Sequence, residues 1–220
     1  MTLPLSSQLI HLLAAILLLL SFAMLAQRRV LSLINLFAAQ GVVLVASTAI
    51  VAVTTGQHHL YYSAGLTLLL KVLLLPAILH RLIRRLEVRW DTETLVNIPT
   101  TLLIGLMVVI FCFGLAQPIS ELGSTVTRST LGIAMAVVLL SFLMIITRRK
   151  AVSQVVGFLA MENGLFFAAT SATYGMPMVV ELGIALDVLV GVFILGIFFF
   201  QIREQFESLD LHHMESLKED

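Results

Sequence analysis

Four hydrophilic side chains sit in the middle of long apolar runs: Gln40 in "LFAAQGVVLV", Lys71 in "LLLKVLLL", Glu162 in "LAMENGLFF" and Asp187 in "GIALDVLVG". Three of them can carry charge, and a charge at a bilayer centre costs about 2.5–3.5 kcal/mol on insertion scales. A low-dielectric setting penalises the charged form of an acid or a lysine, while an opposite charge nearby favours it. One lysine with two carboxylates therefore has competing protonation states of similar energy. The lysine can pair with one ionised acid while the other holds a proton. That is the chemistry of a lateral proton relay, with waters bridging the longer gaps. The plainer alternative is a buried ion pair that fixes helix register.

Neighbours at helical spacing indicate which faces look into protein. Lys71 shares an i,i+4 stripe with Ser63 and Thr67, and Asp187 shares one with Gly183 and Gly191, where small residues permit close helix approach. Gln40 lies near a stripe with Ser32, Asn35 and Ser47, and Asn163 adjoins Glu162. Glu162 is flanked at i−4 and i+4 by Phe158 and Phe166. Pro76 cannot donate to the carbonyl of Val72, so a bend is expected just beyond Lys71. His11, Arg128 and Glu181 fall near span ends and read as interfacial, although Glu181 could line an outer proton exit. The pairs His58–His59 and His212–His213 lack supporting cysteine or carboxylate ligands at metal spacing, so no metal site is expected.

The elements that must position these groups follow from composition. The 220 residues are 59% hydrophobic and 12% charged, about half the charged fraction of a soluble domain. Apolar blocks of some twenty residues are long enough to cross a hydrocarbon core about 30 Å thick. The reading is an all-α integral membrane protein. Zero net charge offers no bulk attraction for nucleic acid, and the lone Cys112 leaves the redox compartment open. The first apolar run has no basic region before it and ends in "QRR", so it reads as a retained helix and not a cleaved leader.

Seven spans are expected, at 5–26, 30–54, 60–83, 95–117, 127–147, 151–174 and 177–202. Basic residues alternate across the connections: Arg28 and Arg29, then none, then Arg81, Arg84, Arg85 and Arg89, and later Arg148, Arg149 and Lys150. Because basic residues stay cytoplasmic in short loops, the amino terminus is placed outside and the carboxyl terminus inside. The segments beginning "RRVLSLINLFAAQG" and "RRKAVSQVVGFLAMENG" match in topology and in the depth of their polar group, as do those around Lys71 and Asp187. The chain thus divides into a three-helix repeat at 1–86, a cytoplasmic connection and linker helix at 87–122, a second parallel repeat at 123–202, and a cytoplasmic tail at 203–220.

"FLAMENGLFFAATSATYG" followed by "ELGIALDVLVGVFILGIFF" resembles the second and third helices of the complex I K subunit and of the C subunit of multisubunit Na⁺/H⁺ (Mrp) antiporters. In that family each of these helices carries a midmembrane glutamate of the proton-conducting axis; Glu162 matches the first and Asp187 the second, one methylene shorter. A K-like unit doubled in one chain, with "KVLLLPAIL" in its first half, resembles the hydrogenase-4 component E family, membrane subunits of formate-hydrogenlyase-type group 4 NiFe hydrogenases. The resemblance implies a non-catalytic subunit without cofactor or redox centre, multi-pass in the cell inner membrane. It would sit among lipids between antiporter-like large subunits and a quinone-site-like membrane subunit. Glu162 and Asp187 would be relay residues, Lys71 their electrostatic partner and Gln40 a neutral, water-binding station. Asn163, Glu181, Ser63, Thr67 and Asn35 would be secondary. Glutamine and lysine stand where the family has acids in the first half, which separates that half from the K pattern. A spacer or assembly subunit of the same complex, or of a related complex I or Mrp-type antiporter, is the rival reading. An independent carrier is disfavoured by the continuous spans.

Overall fold

The computed structural model describes residues 4–56, 58–85, 94–120 and 125–173, together with 189 and 191. Helix α1 (Leu5–Ala26) starts after Pro4, whose fixed φ suits a helix entrance, and stops where Gln27 turns extended. Helix α2 (Val30–Thr55) ends at Gly56, which adopts a left-handed φ of 68° and donates its N–H to the carbonyl of Ala52. Without a Cβ the glycine takes that conformation at no steric cost.

A third rod follows in three helical pieces: α3 (His59–Thr67), a π-helical segment (Leu68–Leu74) and α4 (Leu75–Arg85). Three long helices complete the described chain: α5 (Ile98–Ser120), α6 (Thr125–Thr147) and α7 (Ala151–Thr173). Among the described residues, six helical stretches are long and apolar enough to cross a membrane. They match the first six expected spans closely, and the protein is a multi-pass membrane protein. The seventh expected span, 177–202, lies outside the described residues apart from Leu189 and Gly191, both helical.

Helices α1, α2, α6 and α7 form the centre: α1 packs on α2 and α6, and α7 on α2 and α6. The α3–α4 rod lies against α2, and α5 lies against α6 and α1. In lipid there is little hydrophobic drive between helices, so close packing of small residues matters more. At Gly164 on α7, an added methyl would meet Val138 Cγ2 at 2.9 Å and the Val138 backbone nitrogen at 3.1 Å. Towards the Gly56 end, Ile10, Leu17, Leu44, Leu60, Val137 and Phe167 contribute to an apolar core. Helix α5 is the least enclosed, with only 17% of its span buried against 56% for α6 and α7, and it displays Leu103, Met107 and Phe111. An apolar surface on a spanning helix is what hydrocarbon requires.

The opposite end carries the basic connections. Arg148, at the α6–α7 junction, is fully buried, and its Nη2 donates to the carbonyls of Met24 at 3.2 Å and Leu25 at 2.8 Å. Those are carbonyls at the C-terminus of α1, where the regular i+4 donors run out; that of Met24 also accepts the Gln27 N–H at 3.3 Å. The Arg148 carbonyl accepts from Gln154 Nε2 at 2.8 Å, and the Leu95 N–H donates to Thr147 at 2.8 Å. Desolvation lowers the pKa of this guanidinium from its usual value while leaving it charged, since arginine is not deprotonated in proteins. One side chain therefore ties together the end of α1 and the α6–α7 turn.

Candidate functional site at the helix midpoints

The site begins with the rod that carries Lys71. Ser63, Thr67, Lys71, Leu75, Leu79 and Ile83 are all buried, at a strict spacing of four along the chain. In a regular α-helix such a stripe drifts by about 40° per step and would wind around to the far face. The π segment interrupts the drift, because its wider turn absorbs roughly one extra residue, about 100° of rotation. Sequence accounts for the place: Pro76 has no N–H for the carbonyl of Val72, and the Leu75 N–H reaches back five residues to Leu70. The local departure near Pro76 is thus a widened turn. The Pro76 carbonyl is itself engaged by His80 Nδ1 at 2.9 Å.

That turn presents Lys71 to α7. Its Nζ lies 3.5 Å from Glu162 Oε1, with side-chain exposures of 1% and 4%. The distance exceeds the roughly 2.7–2.9 Å of a tight charge-assisted hydrogen bond, so the two groups are paired but loosely. The ammonium also sits 5.2 Å from the centre of the Phe166 ring, a cation–π contact from one turn further along α7. Gly41 on α2 lets the rod come close: a Cβ there would lie 3.1 Å from Val72 Cγ2 and 3.3 Å from Lys71 Cβ.

A second arm runs from the neighbouring residue. Asn163 Nδ2 donates to Gln40 Oε1 at 3.3 Å, Gln40 Nε2 donates to Ser21 Oγ at 2.9 Å, and Ser21 donates to the Leu17 carbonyl at 3.0 Å. Helices α1, α2 and α7 are thereby joined by neutral hydrogen bonds at the depth where α3–α4 and α7 are joined by charge. All five side chains are buried. Among the described residues, no three His, Cys, Asp or Glu side chains gather in a way that could hold a metal ion.

The chain is 32% identical over 194 residues to an uncharacterized protein of Mycobacterium tuberculosis, covering 88% of each. It is 26% identical over 182 residues to hydrogenase-4 component E of Escherichia coli and of Shigella flexneri, covering 83% of this chain and 84% of theirs. These homologues support the hydrogenase-4 component E family for this chain. No protein-family model matches it, and no solved structure matches it significantly.

For this component E relative, the residues expected from sequence fall into three groups. Lys71, Glu162, Gln40 and Asn163 come together as described, and Ser63 and Thr67 are buried on the Lys71 stripe. Asp187 and Glu181 lie outside the described residues. Asn35 does not join the site: it is exposed, because five residues of α-helix turn it about 140° away from Gln40. The rings that flank Glu162 lie in different settings: Phe166 is buried against Lys71, whereas Phe158 is 39% exposed.

Two participants have no distinct signal in the sequence. Helix α1 reads as a plain apolar span, yet its Ser21 is the acceptor that fixes Gln40. A serine inside a helix usually bonds only its own chain, so nothing marks this one. Arg148 reads as one of three topogenic charges, and only its burial sets it apart from Arg149 and Lys150.

Proposed function

We propose that this chain is a membrane subunit of an energy-converting, respiratory-type hydrogenase complex and supplies part of a midmembrane hydrophilic axis for proton (or Na⁺) translocation. The redox chemistry would belong to other subunits. The observation that carries this reading is the Lys71–Glu162 pair, ionisable and almost fully enclosed on two different spans. Such pairs are costly in a bilayer and are typically found on ion pathways. A loose pair is also one whose partner can change, which a relay requires. Glu162 would take and release the proton, Lys71 would set which state is favoured, and Asp187 would continue the axis. Gln40 and Asn163 would hold neutral polar positions beside it.

The doubled-unit reading, with repeats at 1–86 and 123–202 around a linker helix, draws support from the packing. Helix α1 meets α6 and α2 meets α7, so corresponding helices of the two halves face each other. In this reading the end with Arg28, Arg29 and Arg148 faces the cytoplasm and the Gly56 end faces outward, in the cell inner membrane. Antiporter-like and quinone-site-like membrane subunits would be the neighbours along the axis. The spacer reading has one observation in its favour: the Ser21–Gln40–Asn163 arm is a neutral lattice that joins three helices without a titrating group.

The two readings part in the assembled complex reconstituted into liposomes. Glu162→Gln keeps the shape and removes the titrating group. Loss of proton translocation with hydrogenase turnover retained supports the relay. Translocation at the wild-type ratio per turnover rejects it and leaves the spacer.

A further inference from the structure

Resting on the relay reading, we propose that water and protons reach the Lys71–Glu162 pair from one side only, the Gly56 end, along a polar path lined by Thr67 and Ser63. Above Lys71 on its own rod, the buried stripe is Thr67 and Ser63; below it, the stripe is Leu75, Leu79 and Ile83. The neighbours repeat the division. Beyond Gln40 towards Gly56, α2 buries Ser47 and Thr48, whereas the other half of that helix buries Leu33, Ile34 and Phe37. Beyond Glu162, α7 buries Thr170 and Ser171, with Val156 and Leu159 on the basic side. The basic side also buries hydroxyls, Ser153 on α7, Ser21 on α1 and Ser141 and Thr147 on α6, and Ser153 Oγ has no hydrogen-bond partner, but none of them lies on the Lys71 stripe.

The hydroxyls of Thr67 and Ser63 differ from those that α2 and α7 bury towards the Gly56 end. Those of Ser47, Thr48, Thr170 and Ser171 all donate to a carbonyl three or four residues back in their own helix. Such back-bonding is the ordinary fate of a helical hydroxyl. Thr67 Oγ1 and Ser63 Oγ have no hydrogen-bond partner, although their residues are only 1% and 3% exposed. A buried hydroxyl left in that state costs about 1–3 kcal/mol, and a bridging water removes the cost where polar groups are near enough to hold it. Thr67 and Ser63 stand one and two turns from Lys71, about 6 and 12 Å along the axis. They are spaced for a short file of waters ending at the ammonium. The Phe166 ring against Lys71 forms the inner wall of that file. On the basic side, Leu75, Leu79 and Ile83 offer water nothing to bond.

Thiol hydrogen exchange tests this directly. In the full-length chain in lipid bilayers, with Cys112→Ala removing the native thiol, Thr67→Cys, Ser63→Cys and Leu79→Cys are moved into D₂O and the S–H stretch is followed by infrared spectroscopy. A thiol reached by water exchanges at once; one in a dry site must wait for local opening. The cavity left at Leu79 is apolar and should stay dry. The expected result is exchange at positions 67 and 63 more than about tenfold faster than at 79, beyond what local opening would give a dry site. Rates at 67 and 63 no faster than at 79 overturn the path, and so does fast exchange at all three. Because exchange does not depend on pumping, fast exchange at 67 beside a fully active Glu162→Gln complex would leave the path standing and reject the relay.

Discussion

Asn163 on α7 donates to Gln40 on α2 at 3.3 Å, one residue along the chain from the carboxylate that faces Lys71. Adjacent residues thus address two different helices, so the neutral bond helps fix the rotation of α7 that aims Glu162. Gln40→Leu removes an acceptor from Asn163 and a donor from Ser21 while roughly keeping the volume. Each group left buried without its partner costs about 1–3 kcal/mol. The expected outcome is a lower midpoint in detergent unfolding, with Gln40→Glu less damaging than Gln40→Leu because an acceptor for Asn163 survives.

The ion pair should respond differently to single and double changes. Lys71→Met alone leaves a buried carboxylate without its cation, an uncompensated charge that costs about 3–5 kcal/mol. Glu162→Leu alone strands the ammonium in the same way. Making both changes removes the problem from both sides, and replacing a buried pair by apolar groups is often neutral. A double-mutant cycle by denaturant unfolding should show the double variant more stable than either single one. Additive losses would mean that the two side chains act independently.

The sequence made the helices and the central pair legible for a simple reason: charges are so few in the apolar spans that those at matching depth must meet. Lys71 and Glu162 are such charges, on spans that the topology brings together. The π segment was hidden because a stripe at strict four-residue spacing reads as helical until its angular drift is added up over the whole of Ser63 to Ile83. Pro76 marked the place and not the form. Asn35 was misassigned for the related reason that polarity at mid-helix says nothing of angle. Ser21 and Arg148 were hidden by being ordinary types, a helical serine and a loop arginine, whose partners lie far away in sequence.

Gly164→Ala should loosen the α6–α7 contact. The added methyl would fall 3.1 Å from the Val138 backbone nitrogen, which cannot rotate aside as a side chain can. Overpacking of this kind costs about 1–3 kcal/mol. Because Gly164 is two residues from Glu162, the displacement should also weaken the pair with Lys71. The check is twofold: a lower unfolding midpoint, and a smaller coupling energy when the Lys71–Glu162 cycle is repeated in the Gly164→Ala background. An unchanged coupling energy would mean that the pair tolerates the shift of α7.

Arg148 offers the sharpest contrast between charge and shape. Its guanidinium donates from one nitrogen to two carbonyls at the end of α1, and hydrogen bonds to charged groups contribute about 1.5–3 kcal/mol each. Arg148→Met keeps the length and apolar stem but leaves the carbonyls of Met24 and Leu25 facing a methyl group. Arg148→Lys restores charge without the planar fork, so it should recover only part of the loss. Arg149→Met, one residue along at an exposed position, should change little. The expected order of unfolding midpoints is wild type and Arg149→Met together, then Arg148→Lys, then Arg148→Met. Should Arg148→Lys match wild type, a point charge at the α1 C-terminus suffices, and the two-carbonyl geometry contributes nothing of its own.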